Sequence, residues 1–123
     1  MEKFKNKTVV ITGASQGIGE AAARMFADLG ANVALLARSK NKIDKISSEI
    51  NRNGGKSIAI QCDVSNANQM ESAIKKTMKM FSSIDILIGN AGVIEPIKSI
   101  SDMELSDFDK VIDINVKGVW YGI

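Results

Sequence analysis

The sequence contains no histidine and only one cysteine, Cys62. With a single thiol and no imidazole, one chain can form neither a disulfide framework nor a cysteine/histidine zinc site. This cysteine usage predicts a reducing, cytoplasmic setting and no bound metal. Long hydrophobic runs are also missing: the apolar run nearest the amino terminus has the length of one strand, too short for a signal-peptide core or a membrane-spanning helix. We therefore expect no membrane association.

Neither sign of charge dominates, because sixteen basic residues against fourteen acidic ones give a formal net charge of +2. The basic residues are scattered and form no stripe, so the electrostatic footprint of a nucleic-acid binder is missing, and we expect no nucleic-acid partner. Hydrophobic residues at 45% and charged residues at 24% are typical of a globular protein. The length suits one domain, which we expect to span residues 1–123.

Short apolar or β-branched runs alternate with stretches of helical periodicity. Strands are predicted at 8–12, 32–37, 57–61 and 85–88. Such alternation predicts an α/β fold with a doubly wound parallel sheet, right-handed crossovers and ligands at the carboxyl ends of the strands. With only about four predicted strands, the sheet is expected to be incomplete. The predicted apolar helix faces are Ile18, Ala22, Met25, Phe26 and Leu29, then Ile43, Ile46 and Ile50, then Met70, Ala73, Ile74, Thr77, Met78 and Phe81.

The helix ends carry recognisable signals. Gly30 is the predicted C-cap of the first helix, and Asn53-Gly54-Gly55 ends the second. After the only proline, Pro96, the capping-box spacing of Ser101 and Glu104 predicts a further helix. Its apolar stripe consists of Phe108, Val111, Ile112, Val116, Val119, Trp120 and Ile123.

The segment TGASQGIG, residues 12–19, separates the first predicted strand from the first predicted helix. Its glycines would let a pyrophosphate approach the backbone, and the start of the helix supplies unpaired N–H groups and a positive dipole end. Three glycines can also form a mere tight turn, but the strand before them and the helix after them are the context that a dinucleotide-binding motif requires. The predicted phosphate-binding residues are Gly13, Ser15, Gln16, Gly17, Ile18 and Gly19.

The spacing of this segment resembles the cofactor loop of the short-chain dehydrogenase/reductase family, usually written TGxxxGIG. Residues 89–92, Gly-Asn-Ala-Gly, resemble the family's NNAG loop, with Gly89 in place of the first asparagine. Any hydrogen bond that the side chain of that asparagine makes in the family is therefore absent here. The resemblance implies a Rossmann-type fold and a nicotinamide dinucleotide cofactor. Further marks of the family follow in order along the chain: Asp63-Val64, Asn90-Ala91-Gly92 and Asn115.

The end of the second predicted strand indicates which dinucleotide is bound. A carboxylate there would hydrogen-bond the ribose hydroxyls and repel a 2′-phosphate, whereas an arginine can pair with that phosphate. The sequence has Ala37, Arg38 and Ser39 at this place, and Lys40 and Lys42 add positive charge. A solvated basic loop is the alternative. In the context of the glycine motif we expect NADP(H) and consider NAD(H) less favoured.

By resemblance to the family, Asp63 and Val64 contact the adenine ring of the cofactor. Asp63 could instead cap the third helix, a role it would share with Ser65 and Asn66. The small residues of the segment 90–92 would let the backbone approach the cofactor's ribose, or they could form an ordinary turn.

Asn115 lies on the apolar stripe of the last predicted helix, where a polar amide costs free energy unless it is hydrogen-bonded. By resemblance it belongs to the catalytic set and holds a water for proton relay; a satisfied structural asparagine is the alternative. The family's serine and Tyr-x-x-x-Lys pair would lie beyond residue 123, so this chain alone is expected to be inactive. Tyr121 has no lysine four residues on, and Cys62 is expected to be an inert core residue.

The function that the resemblance implies is hydride transfer between NADP(H) and a small alcohol or carbonyl substrate, such as a 3-oxoacyl group or another ketone. The alternative is a noncatalytic nucleotide-binding half-domain or interaction module. A domain for a mononucleotide such as FMN conflicts with Arg38 and the GNAG loop. The resemblance also implies a homo-oligomer, a dimer or tetramer, in which Trp120 contributes to an interface.

Overall fold

A computed structural model describes residues 3–90. Ala91, Gly92, Asn115 and the helix predicted after Ser101 lie outside the described residues. The elements are β1 (Thr8–Thr12), α1 (Gly17–Asp28), β2 (Asn32–Ala37), α2 (Lys40–Arg52), β3 (Lys56–Gln61), α3 (Ala67–Phe81) and β4 (Ile86–Ile88).

The four strands form one parallel sheet in the order β3-β2-β1-β4. The chain builds outward from β1 to β3 and then crosses to the other side of β1, where β4 pairs with it. The predicted doubly wound architecture is therefore confirmed. The order of the strands reverses between β1 and β4, and in open α/β sheets ligands bind at the carboxyl ends of the strands beside such a reversal.

Helices cover both faces of the sheet, which explains why its central strands are continuous apolar runs. All five residues of β1 are buried. Val9 and Ile11 face the side that α1 and α2 cover, whereas Val10 faces α3, because side chains alternate along a strand. Each face of the sheet thus packs against its own apolar core, and the central strands belong to both cores.

The predicted apolar face of α1 is wrong in part. Ile18 is 79% exposed and Met25 is 56% exposed. The buried residues are instead the small ones, Gly19, Ala23 and Ala27, which recur every fourth position. A row of small side chains lets the helix approach the sheet closely, and this approach turns the larger residues of the neighbouring row outward. In α3 likewise, Met78 is 43% exposed.

Glycines follow the ends of the first two helices. The C-cap of α1 is Leu29, one residue before the predicted Gly30. Gly30 has a φ of +91° and Gly54, after α2, has a φ of +90°. These left-handed conformations favour glycine and let the chain turn back toward the next strand.

The N-cap of α3 is Asn66, whose side-chain oxygen accepts a hydrogen bond of 3.1 Å from the backbone N–H of Gln69. Asp63, the alternative cap, instead accepts hydrogen bonds from the backbone N–H and the hydroxyl of Ser65. Asn66 therefore satisfies one of the free amides at the start of α3.

Substituting Asn66→Ala should lower the free energy of unfolding by about 1 kcal/mol, since the amide of Gln69 loses its partner. Urea denaturation followed by circular dichroism measures this difference. Asn68→Ala is the matched control, because Asn68 is an exposed residue inside the first turn of α3, where alanine has the higher helix propensity. Equal stability of the two variants would contradict the assigned cap.

Asp85 links the start of β4 to the start of β1. Its Oδ2 accepts hydrogen bonds from the backbone N–H of Thr8 at 2.9 Å and from the hydroxyl of Ser83 at 3.1 Å. These bonds, with the first one contributing most, hold the pKa of the Asp85 carboxyl below its usual value of 3.8.

A carboxyl whose pKa is lowered by folding stabilises the protein above its unfolded pKa, and this contribution disappears as the pH falls through the folded pKa. We therefore expect Asp85→Ala to lower Tm at pH 7, with the difference from wild type shrinking below pH 3.8. Thermal unfolding between pH 7 and pH 2 tests this. Asp28→Ala, at an exposed acid in α1, controls for loss of surface charge. A difference that does not vary with pH would contradict the assignment.

Candidate nucleotide-binding site

A cavity of about 400 Å³ opens at the carboxyl edge of the sheet. Its walls are the segments that follow all four strands, as expected at the reversal of strand order. The lining residues are Gly13, Ser15, Gln16, Gly17, Ala37, Arg38, Ser39, Cys62, Asp63, Val64 and Asn90. The structure thus brings together most of the predicted cofactor-binding residues that it describes. Ile18 and Gly19 do not line the cavity.

The turn between β1 and α1 needs glycine for its backbone conformation. Gly13 has a φ of +65° and Gly17 has a φ of +60°, which other residues adopt only with strain. The side chain of Gln16, the N-cap of α1, makes no capping hydrogen bond. The first amides of α1 are therefore not taken up by their own cap, and together with the helix dipole they favour an anion at this end of the cavity.

Gly19 is buried in the first turn of α1 and serves packing. A Cβ at this position would collide with the backbone carbonyl oxygen of Gly13 and lie 2.7 Å from Nδ2 of Asn90. Only a residue without a side chain lets the helix come this close to the turn. Close packing of α1 against the turn, and not exposure to the cavity, is the structural reason for glycine here.

Asn90 braces the glycine turn from the end of β4. Its Nδ2 donates a hydrogen bond of 3.1 Å to the carbonyl oxygen of Gly13, and its backbone N–H donates one of 3.0 Å to Oγ1 of Thr12. The hydroxyl of Thr12 in turn donates to the carbonyl of Ile88 at 3.3 Å. The ends of β1 and β4 are therefore tied together beneath the cavity, and the ribose contact predicted for Asn90 stays a prediction.

The loop after β2 carries the positive charge of the site. Arg38 is exposed, and its carbonyl oxygen accepts a hydrogen bond of 3.1 Å from Nε2 of Gln61, at the end of β3. Ser39 is the N-cap of α2, and its side chain makes no capping hydrogen bond. A second helix start with an uncapped first turn thus borders the cavity next to a guanidinium group.

Asp63 forms a short turn of its own at the end of β3. Oδ1 accepts hydrogen bonds from the N–H of Ser65 at 3.0 Å and from its hydroxyl at 2.7 Å. The backbone N–H of Asp63 donates to Oε1 of Gln69 at 2.7 Å. These contacts fix the position of the carboxylate on the cavity wall beside the buried Val64. The adenine contact of both residues remains a prediction.

Sequence reasoning missed Ala37 and Cys62 as lining residues. Each directly precedes a predicted site residue at the end of its strand, and this adjacency was the available signal. Burial, and to a lesser degree the charge of Asp63, raises the pKa of the Cys62 thiol to about 11. Its Sγ donates to Sδ of Met70 at 3.4 Å. The thiol is therefore protonated at neutral pH and forms part of the wall, in agreement with the expected inert core residue.

Two further observations concern residues 3–90. No group of histidine, cysteine or carboxylate side chains there is arranged to hold a metal ion. In the same part of the chain, no helix is both long and apolar enough to cross a bilayer.

The chain matches the family model described as "short chain dehydrogenase" over residues 7–123. "Oxidoreductase UcpA" of Salmonella typhimurium is 43% identical over 120 residues, which are 98% of this chain and 45% of that protein. A 3-oxoacyl-[acyl-carrier-protein] reductase of Synechocystis is 40% identical over 121 residues, 98% of this chain and 49% of that protein. The chain thus spans about half the length of the curated relatives it matches.

Solved structures share the fold. A short-chain type dehydrogenase/reductase from Mycobacterium marinum superposes with a TM-score of 0.90 at 35% identity, covering 97% of this chain and 46% of that one. A 3-ketoacyl-(acyl-carrier-protein) reductase from Brucella melitensis, solved with NADH, gives a TM-score of 0.90 at 30% identity, covering 98% and 48% of the two chains. The predicted Rossmann-type fold is confirmed.

Proposed function

Because the chain belongs to the short-chain dehydrogenase family, we propose that residues 1–123 are the NADP(H)-binding portion of an oxidoreductase acting on an alcohol or carbonyl group. The observation that carries this proposal is the cavity at the reversal of strand order, bordered by the glycine turn and two uncapped helix starts. Nicotinamide supplies the hydride chemistry when bound, and the residues of this chain bind and orient the dinucleotide.

The described residues fit the diphosphate of such a cofactor. Gly17, which lines the cavity, has open space within 4 Å of where a Cβ would stand, and Asn90 is hydrogen-bonded to Gly13 in the same turn. Backbone N–H groups at the start of α1 supply donors without a competing side-chain cap. Asp63 and Val64, which also line the cavity, are proposed to hold the adenine ring.

The finer assignment, NADP(H) over NAD(H), rests on the charge at the end of β2. Arg38 and Ser39 line the cavity, and the sequence has no carboxylate between them and Asp44. A planar guanidinium pairs well with a 2′-phosphate, whereas NAD(H) recognition commonly uses an acidic residue at this place. NAD(H) is the less favoured cofactor, although the similar Brucella melitensis reductase was solved with NADH.

The remaining roles are proposed for the complete enzyme. Asn115 belongs to its catalytic set, and Ala91 and Gly92 approach the cofactor's ribose. Two of the similar proteins are named as reductases of 3-oxoacyl or 3-ketoacyl groups on acyl-carrier protein, so a ketone of this kind is the proposed substrate class. A dimer or tetramer is proposed as the assembly.

Titration of the chain with NADPH and NADH, followed by cofactor fluorescence, tests the proposal. We expect saturable binding of both, with NADPH bound at least about tenfold more tightly, because one charge-assisted contact is worth about that factor. Adenosine without phosphate should compete weakly. Absence of saturable binding by either dinucleotide would overturn the nucleotide site, and tighter binding of NADH would overturn the assignment to NADP(H).

A further inference from the structure

The two lysines in the first turn of α2 have different surroundings. Nζ of Lys40 lies 2.8 Å from Oδ2 of Asp44 and is paired along its own helix. Nζ of Lys42 instead lies 3.5 Å from Oε1 of Gln16, on the glycine turn before α1. Although only Asn41 separates the two lysines in the sequence, only Lys42 contacts Gln16, which lines the nucleotide cavity.

The partner of Lys42 is a neutral acceptor. An amide oxygen can accept a hydrogen bond from an ammonium group without cancelling its charge, whereas Lys40 is paired with the opposite charge of Asp44. Among the described residues, no carboxylate lies within salt-bridge distance of Nζ of Lys42. The charge of Lys42 is therefore available to an anion that enters the cavity.

The contact with Gln16 also brings this charge toward the cavity. Gln16, Arg38 and Ser39 all line the same cavity, so Lys42, which does not line it, contacts one of its lining residues. Gln16 is the N-cap of α1, and Lys42 belongs to the first turn of α2. The contact between them joins two helix starts whose dipoles both favour negative charge.

From this arrangement we propose that Lys42 is a second cationic ligand of the cofactor's 2′-phosphate, directed toward it by Gln16. This inference rests on the proposed NADP(H) function. Arg38 supplies a planar fork of donors and Lys42 a compact charge, so the two can bind different oxygens of one phosphate. Because a ribose hydroxyl gains little from an ammonium group, Lys42 discriminates NADP(H) from NAD(H), and Lys40 does not.

The test compares Lys42→Met with Lys40→Met in the 123-residue chain. Isothermal titration with NADPH should show affinity reduced about tenfold by Lys42→Met, the usual worth of one charged hydrogen bond. Lys40→Met removes the same charge two residues away and should change the affinity less than about twofold. NADH binding should be unaffected by either substitution. The affinity for adenosine 2′,5′-bisphosphate should change in each variant as the affinity for NADPH does, and the affinity for 5′-AMP as the affinity for NADH does.

The role of Gln16 is tested by a double-mutant cycle. Gln16→Ala should weaken NADPH binding about threefold more in the wild-type background than beside Lys42→Met, because the part of its contribution that acts through the lysine is already lost in the second background. Equal effects of the Lys40 and Lys42 substitutions, or an equal loss of NADH binding, would overturn the inference while leaving the NADP(H) site intact. If wild type does not prefer NADPH over NADH, the proposed cofactor itself fails.

Discussion

Gly19→Ala is expected to destabilise the fold and to abolish tight dinucleotide binding together. The new methyl group would collide with the backbone carbonyl of Gly13 and with the amide of Asn90, and backbone cannot move aside as the end of a side chain can. Overpacking of this kind costs about 3 kcal/mol, so the midpoint of urea unfolding should fall clearly. Displacing the glycine turn should also weaken NADPH binding by more than about tenfold.

Gly17→Ala is the matched control for this substitution. Gly17→Ala also adds one methyl group, two residues before Gly19 on the same turn. A Cβ at Gly17 has open space around it, so the only cost is the strain of its left-handed backbone. That strain costs about 1 kcal/mol. Equilibrium unfolding of both variants measures the difference. A Gly19→Ala variant as stable as Gly17→Ala would show that α1 does not pack on the turn as described.

Arg38→Asp should reverse the preference between the two dinucleotides. The substitution removes the proposed partner of the 2′-phosphate and places a carboxylate where it would repel that phosphate and bind ribose hydroxyls. NADPH affinity is expected to fall about 100-fold, the effect of losing one charged contact and gaining one repulsion. NADH affinity should stay the same or rise. Titration calorimetry with both dinucleotides at fixed salt concentration measures the change.

Arg52→Asp controls for the change in net charge. Arg52 is exposed at the far end of α2, and its substitution alters the total charge by the same amount away from the cavity. At moderate ionic strength charges at that distance are largely screened, so NADPH affinity should change less than about twofold. A similar loss of NADPH affinity in the two variants would mean that Arg38 acts through long-range electrostatic attraction and not through contact with the phosphate.

The sequence predicted the elements of the fold closely because buried parallel strands and amphipathic helices leave strong patterns. The predicted bounds of β1 and β2 match the structure, whereas β3 begins one residue earlier than expected and β4 one residue later. The face of α1 was predicted less well, because hydrophobicity alone favours Ile18 and Met25 over small residues. What decides that face is the distance between helix and sheet, which a periodic pattern does not contain.

The candidate site, too, was predictable from the sequence only in part. Local motifs predicted which loops meet at the carboxyl edge, since all parallel strands end there. They did not predict that Gly19 packs against Asn90, or that Lys40 and Lys42 differ in their partners. The contacts of Gly19 with Asn90 and of Lys42 with Gln16 join segments far apart in the sequence, and they depend on the spacing between strands and on competing side chains. Only the folded structure supplies that information.

The hydrogen bonds from Asn90 to Gly13 and Thr12 also constrain the order of assembly. β1, β2 and β3 pair in the order in which a ribosome makes them, but the hydrogen bonds that brace the glycine turn form only with Asn90, two residues after the end of β4. Such a long-range contact forms late, because closing a long loop costs entropy before any contact offsets it. We therefore expect a chain that ends before Asn90 to have an unbraced glycine turn and a weaker affinity for nucleotide.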